Sequence, residues 1–134
     1  MSDTGLARLD DHLADAGAYV EVVARLSPAP TRIMDLGAGA GLPGIVVATA
    51  FVDVTVELVE RRRKRATFLR MAAAAVGGAE VDVRSGDVRT TGGAPVDVVL
   101  AQAVGTLEQV YAVTRHRHGG EVVLMSRKGP EWRA

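Results

Sequence analysis

Asp35-Leu-Gly-Ala-Gly-Ala-Gly-Leu-Pro-Gly44 decides the fold of this 134-residue chain. It follows Thr31-Arg-Ile-Met34, a short apolar run of strand type, and precedes Ile45-Val-Val-Ala-Thr-Ala-Phe51, which reads as a buried helix. A strand, a glycine-dense turn and a helix form a nucleotide-cofactor loop. Glycines at 37, 39 and 41 let the backbone turn sharply and approach a ligand that a Cβ would hold off. The helix beyond offers unpaired N–H groups at its start.

Spacing separates the cofactors. A dinucleotide loop is G-x-G-x-x-G with a pyrophosphate on the helix end. Counted from Gly37, its third glycine would fall at Leu42. The pattern here is acid-x-G-x-G-x-G, opened by Asp35 at the strand end. A carboxylate there suits a cationic ligand. S-adenosylmethionine has an ammonium, a sulfonium and no phosphate. A second acid agrees with it. Val54-Thr-Val-Glu-Leu-Val59 alternates and is β-branched, so it reads as the next strand, ending at Glu60. An acid roughly 20 residues past the glycine turn accepts hydrogen bonds from ribose hydroxyls in doubly wound folds. Glu60 is expected at a solvent-facing strand end.

These residues carry a resemblance. Asp35 to Ile45, with its Leu42-Pro43-Gly44 extension, resembles the cofactor loop of the glucose-inhibited division protein B family, bacterial methyltransferases acting on N7 of a guanine in 16S ribosomal RNA. Leu58-Val-Glu60, Lys64-Arg65 and Phe68-Leu69 are similar to that family's second-strand acid and following helix. Asp97 to Ala103 resembles its fourth strand, and Lys128-Gly129 the Lys-Gly that ends its fifth. The resemblance implies an S-adenosylmethionine-dependent methyltransferase. The cofactor would lie against Asp35, Gly37, Ala38, Gly39, Gly41, Leu42, Glu60, Arg61, Asp87, Val88 and Gln102. Substrate would meet Lys128, Arg63 and Arg65. In such enzymes an acid near Asp87 reaches the adenine amino group, and a neighbouring backbone N–H, here that of Val88, reads the ring. The family has an Arg after the fourth strand where this chain has Gln102. Family members also extend further at both ends, with a final strand pair after the Lys-Gly. A catalytically inactive cofactor-binding module and a small-molecule methyltransferase therefore stay open as readings.

Composition narrows the chemistry. The length makes one domain, 1–134, with a helix and linker over 1–30 and a Rossmann-like core over 31–134. At 48% hydrophobic but only 4% aromatic, its core is built from Ala, Val and Leu. A formal net charge of zero argues against gripping RNA by bulk charge. The absence of cysteine excludes a thiolate metal site and the cysteine-nucleophile route to ring-carbon methylation. The acidic start, with Asp3, Asp10 and Asp11, is unlike a signal peptide, and no apolar run is long enough to span a membrane. A soluble cytoplasmic protein is expected.

Periodicity predicts an amphipathic helix over 6–26, ended by Ser27-Pro-Ala-Pro30. Strands follow at 32–36, 54–59, 80–84, 96–100 and 121–126, with helices at 43–51, 61–76 and 105–117. Gly77-Gly78 and Gly119-Gly120 would stop the last two helices. Alternating strands and helices predict a doubly wound α/β fold with a parallel sheet ordered 3-2-1-4-5. Its ligand would sit beyond the carboxyl ends of the strands, where the order reverses. Asp35, Glu60, Asp87 and Gln102 all fall at such ends.

Other features have plainer readings. Arg61-Arg-Arg-Lys-Arg65 opens a helix against its dipole. It is either a solvated face or a phosphate-contacting edge for ribosomal RNA. His116 and His118 lack a third metal ligand nearby, so they and Arg117 read as cations favoured by a helix C-terminus, and no metal site is expected. Gly86-Asp87 is also a common turn sequence. The fifth strand, with Val122, Val123 and Leu124, would be left as an edge, which favours a homodimer through it.

Overall fold

The computed structural model describes residues 17–36, 43–102 and 105–127. Five parallel strands form one sheet in the order β3-β2-β1-β4-β5, as the alternation predicts. The strands are β1 (Arg32–Leu36), β2 (Thr55–Glu60), β3 (Glu80–Ser85), β4 (Val96–Gln102) and β5 (His118–Arg127). Helix α1 covers 17–24 of the described residues; α2 is Gly44–Ala50, α3 Arg63–Ala75 and α4 Leu107–Thr114.

The central strands are buried on both faces, so their sequences are nearly continuous apolar runs. Side chains alternate across the sheet. Ile33, Val56, Leu58, Val98 and Leu100 meet Tyr19 and Val23 of α1, Val47 and Ala48 of α2 and Leu69 of α3. Met34, Leu36, Val59, Val99 and Ala101 pack on the opposite face with Val88 and with Val110 of α4. Each fully buried Val, Leu or Ile contributes about 1.5–3 kcal/mol of transfer free energy. Val96 packs with this second cluster although it lies two residues before Val98. The β4–β5 register is irregular between these two positions, so alternation breaks there. Asp97 fixes the other side of β4: its Oδ2 accepts the N–H groups of Thr31 at 2.7 Å and Arg32 at 3.0 Å, tying the start of β1 to β4.

Two expectations are corrected. The helix expected over 105–117 is α4 followed by a 3-10 turn at Arg115–Arg117. Gly119-Gly120 does not end that helix but lies within β5, which begins at His118 rather than at 121. Gly119 passes so close to Pro95 that an added Cβ would sit 2.6 Å from the proline Cβ, and Gly120 has φ +135°. A glycine pair read as a helix stop is therefore the means by which an irregular strand slides past a proline. The helix does begin where its sequence says. Thr106 Oγ1 accepts the Gln109 N–H while the Gln109 side chain accepts the Thr106 N–H, a capping box.

Candidate functional site

A cavity of about 470 Å³ opens at the carboxyl ends of β1, β2 and β3, on the sheet face covered by α4. Its apolar wall is Leu36, Val59, Val88, Val110 and Val113, and its polar groups are Arg61, Asp87, Arg89 and Gln109. The size and the mixed lining are those of a small-molecule site. The order reverses between β1 and β4, so the cavity lies beside the switch point where open α/β sheets bind ligands.

Asp35, the fourth residue of β1, has 1% of its surface exposed. Its Oδ2 accepts the N–H of Gly44 at 2.8 Å. Helix α2 has Pro43 at its N-cap and no side-chain cap of its own, so Asp35 supplies one from across the turn. A Cβ on Gly44 would overlap Asp35 and Leu58, which explains why a glycine opens this helix. Burial pushes the Asp35 pKa up to about 7, against the lowering effect of the Gly44 hydrogen bond.

Glu60, the last residue of β2, is 6% exposed rather than solvent-facing as the sequence predicts. On one side it pairs with Ser85 of β3, and its Oε1 accepts the Arg62 N–H at 3.0 Å. Glu60 flanks the cavity, while Val59 and Arg61 on either side line it.

Asp87 caps a 3-10 turn, Val88–Thr90, by accepting the Arg89 N–H at 2.9 Å. This is the turn geometry that Gly86-Asp87 suggests. The Arg89 guanidinium also grips the carboxylate, with Nη2 2.6 Å from Oδ2 and Nε 3.1 Å from both oxygens. These side-chain bonds, then the backbone bond, hold the Asp87 carboxyl far below the usual carboxylate range. Arg89 and Gln109 were missed in the sequence. Arg89 follows Asp87 by two residues, the spacing of a local turn, and only α4's position brings Gln109 near.

The cavity thus gathers Arg61, Asp87 and Val88 from the expected set. Arg63 and Arg65 are exposed on the first turn of α3 and do not line it. Gln102 ends β4 opposite Arg127, with only its backbone described. Gly37, Ala38, Gly39, Gly41, Leu42 and Lys128 lie outside the described residues. Among the described residues both histidines have a partner: His116 Nε2 is 3.0 Å from the Thr91 carbonyl and His118 Nε2 is 2.8 Å from Thr114 Oγ1. Among the described residues no group of three His, Asp or Glu could hold a metal ion, and no helix is long and apolar enough to cross a membrane.

A polar cluster invisible in the sequence lies under the same face. Glu57, fully buried on β2, accepts hydrogen bonds from Arg117 and Arg32. Burial alone would raise its pKa, but the bonds from Arg117 and Arg32 and the charges of Arg117 and Arg84 hold it below the ordinary value. Arg117 also donates to the Ala94 carbonyl at 3.0 Å and to Thr91 Oγ1 at 3.2 Å, so it anchors the loop before β4. It is 2% exposed, not a solvated cation at a helix end.

Comparison with known proteins agrees with this architecture. Ribosomal RNA small subunit methyltransferase G of Rhizorhabdus wittichii is 36% identical over 114 residues, 84% of this chain and 51% of that protein. The enzyme of the same name from Acidothermus cellulolyticus is 36% identical over 118 residues, 88% of this chain and 51% of that protein. The chain spans about half the length of these relatives. Among solved structures, CalS10, an amino pentose methyltransferase from Micromonospora echinaspora with bound S-adenosylmethionine, superposes with a TM-score of 0.70 at 21% identity, over 98% of this chain and 58% of that one. A methyltransferase from Thiobacillus denitrificans in complex with S-adenosylhomocysteine gives 0.65 at 16% identity, over 83% and 46%. At these identities the structural likeness establishes a class I methyltransferase fold. The model of the GidB family, rRNA small subunit methyltransferase G, matches residues 3–133. With nearly the whole sequence inside that match, the chain belongs to the rRNA small subunit methyltransferase G family.

Proposed function

We propose that this chain binds S-adenosylmethionine beside the carboxyl ends of β1 to β3 and that the protein transfers its methyl group to a guanine N7 of ribosomal RNA. The observation that carries the reading is the cavity of about 470 Å³, apolar on its walls and edged by Arg61 and an ionised Asp87, next to a buried strand-end Glu60. These residues fit the cofactor's parts. Leu36, Val59 and Val88 offer an apolar bed for a purine, with Asp87 at its rim. Glu60 is the acid for ribose hydroxyls, and the sequence assigns Gly37, Ala38, Gly39, Gly41 and Leu42 to the same cofactor. Gln102 ends β4.

The bound cofactor supplies an activated methyl group on sulfonium. Guanine N7 already has an exposed lone pair, so attack requires no general base. The chain's own contribution is to position the two reactants and exclude water between them. Arg61, Arg63, Arg65 and Lys128 would hold RNA phosphates. Because the net charge is zero, binding would depend on this one patch. Titration with S-adenosylhomocysteine followed by a labelled-methyl assay on small ribosomal subunits tests the reading. Binding with methyl transfer supports it. Binding without transfer to RNA would leave a cofactor-binding module or a small-molecule methyltransferase.

β5 is the last strand of the described sheet, and Val123 on it is exposed. A homodimer pairing through that edge is supported by its length, ten residues from His118 to Arg127. Sedimentation at high concentration tests it, and a monomer throughout would refute it.

A further inference from the structure

The Asp87–Arg89 pair has more order than an exposed ion pair needs. Arg89 is 66% exposed along its side chain, where a salt bridge contributes little to stability. Yet three donors of one residue converge on the Asp87 carboxylate: the backbone N–H, Nε and Nη2. They fix the plane of the carboxylate and fill about three of its four acceptor directions. Both residues line the cavity, whose other walls are apolar.

We propose that Arg89 is a specificity-determining positioning residue, which locks Asp87 so that the carboxylate offers one hydrogen-bond acceptor to the 6-amino group of an adenine and turns away 6-oxo purines. This rests on the proposed cofactor reading. An ionised carboxylate can only accept. One remaining acceptor direction matches one N–H of an exocyclic amine, and it faces a 6-oxo group with repulsion. Without the guanidinium, Asp87 keeps only its backbone donor and can swing between rotamers, so an amine gains less and an oxo group loses less. Arg61 lies close enough to lower the Asp87 pKa as well, but no hydrogen bond joins it to that carboxylate.

The test compares S-adenosylhomocysteine with S-inosylhomocysteine, which replaces the 6-amino group by oxygen, in calorimetric titrations of wild type, Arg89→Ala and Arg89→Lys. Wild type is expected to prefer the adenosyl compound by about 10- to 100-fold, the range of one hydrogen bond to a charged group. Arg89→Ala should shrink that ratio to less than about 5-fold, mainly by weakening the adenosyl compound, with an unchanged thermal midpoint. Arg89→Lys, which keeps the charge but loses the fork, should fall between. An undiminished ratio in Arg89→Ala would overturn the proposal while leaving cofactor binding intact. Equal wild-type affinities would overturn it too. Wild type that binds neither compound would overturn both this proposal and the cofactor reading beneath it.

Discussion

Arg117 and Glu57, sixty residues apart in sequence, meet through two parallel hydrogen bonds, Nη2 to Oε1 at 2.8 Å and Nη1 to Oε2 at 2.9 Å. Both are almost wholly buried. The pair joins the second strand to the turn after α4 and so fixes α4 over the cavity whose far wall it forms. Arg117→Ala would leave a carboxylate in the core with weaker partners in Arg32 and Arg84. Breaking a buried pair from one side costs about 3–5 kcal/mol. Urea denaturation should show that loss, and a change below about 1 kcal/mol would mean that Arg32 alone satisfies Glu57.

Asp35 gives the fold a pH dependence of unusual sign for an acid. Its folded pKa is raised from 3.8 to about 7. Its contribution to stability is therefore fully present below pH 3.8, declines as the unfolded chain ionises first, and is lost once the pH passes about 7. The span corresponds to about 4 kcal/mol. Asp35→Asn keeps an acceptor for the Gly44 N–H and cannot ionise, so it should flatten stability between pH 4 and 8 and make the protein more stable than wild type at pH 8. Parallel stability profiles for the two proteins would refute the assignment.

Gly44→Ala tests the same corner sterically. The added methyl would overlap Asp35 and Leu58, moving the start of α2 and removing its cap. Overpacking of this kind costs about 1–3 kcal/mol. Loss of cofactor binding should exceed the loss expected from instability alone, because the glycine loop leads directly into this helix. An alanine variant with wild-type stability and affinity would show that the loop adjusts freely.

Much of this was legible in the sequence. The glycine turn between an apolar strand and helix, and the alternation beyond it, carry the strand order. Each such signal is local, and parallel strands buried on both faces announce themselves as apolar runs. The Arg117–Glu57 pair was not legible. Glu57 sits within an otherwise ordinary alternating strand, and its partner follows a helix that any reader would end in solvated cations. The Gly119-Gly120 pair misled because glycine after a helix usually stops it, whereas here it answers the close approach of Pro95. In the site, Asp87 was found by its place after a strand, while its grip by Arg89 needed coordinates. The exposure assigned to Glu60 failed because a strand end was equated with solvent, although β3 pairs with β2 as far as its last residue.

The ribose acid is the sharpest single-residue test of the cofactor reading. Glu60→Gln keeps the shape and the acceptor for the Arg62 N–H but turns a charged acceptor into a neutral one. S-adenosylhomocysteine should bind about 1.5–3 kcal/mol more weakly. Unchanged affinity would make Glu60 a carboxylate that merely shapes the turn into α3.

The most direct test of the central claim is calorimetric titration of the wild-type chain with S-adenosylhomocysteine. The account predicts one site with micromolar affinity, about −8 kcal/mol, abolished by Gly39→Val in the glycine loop. A wild-type titration with no heat, together with no thermal shift, would contradict it.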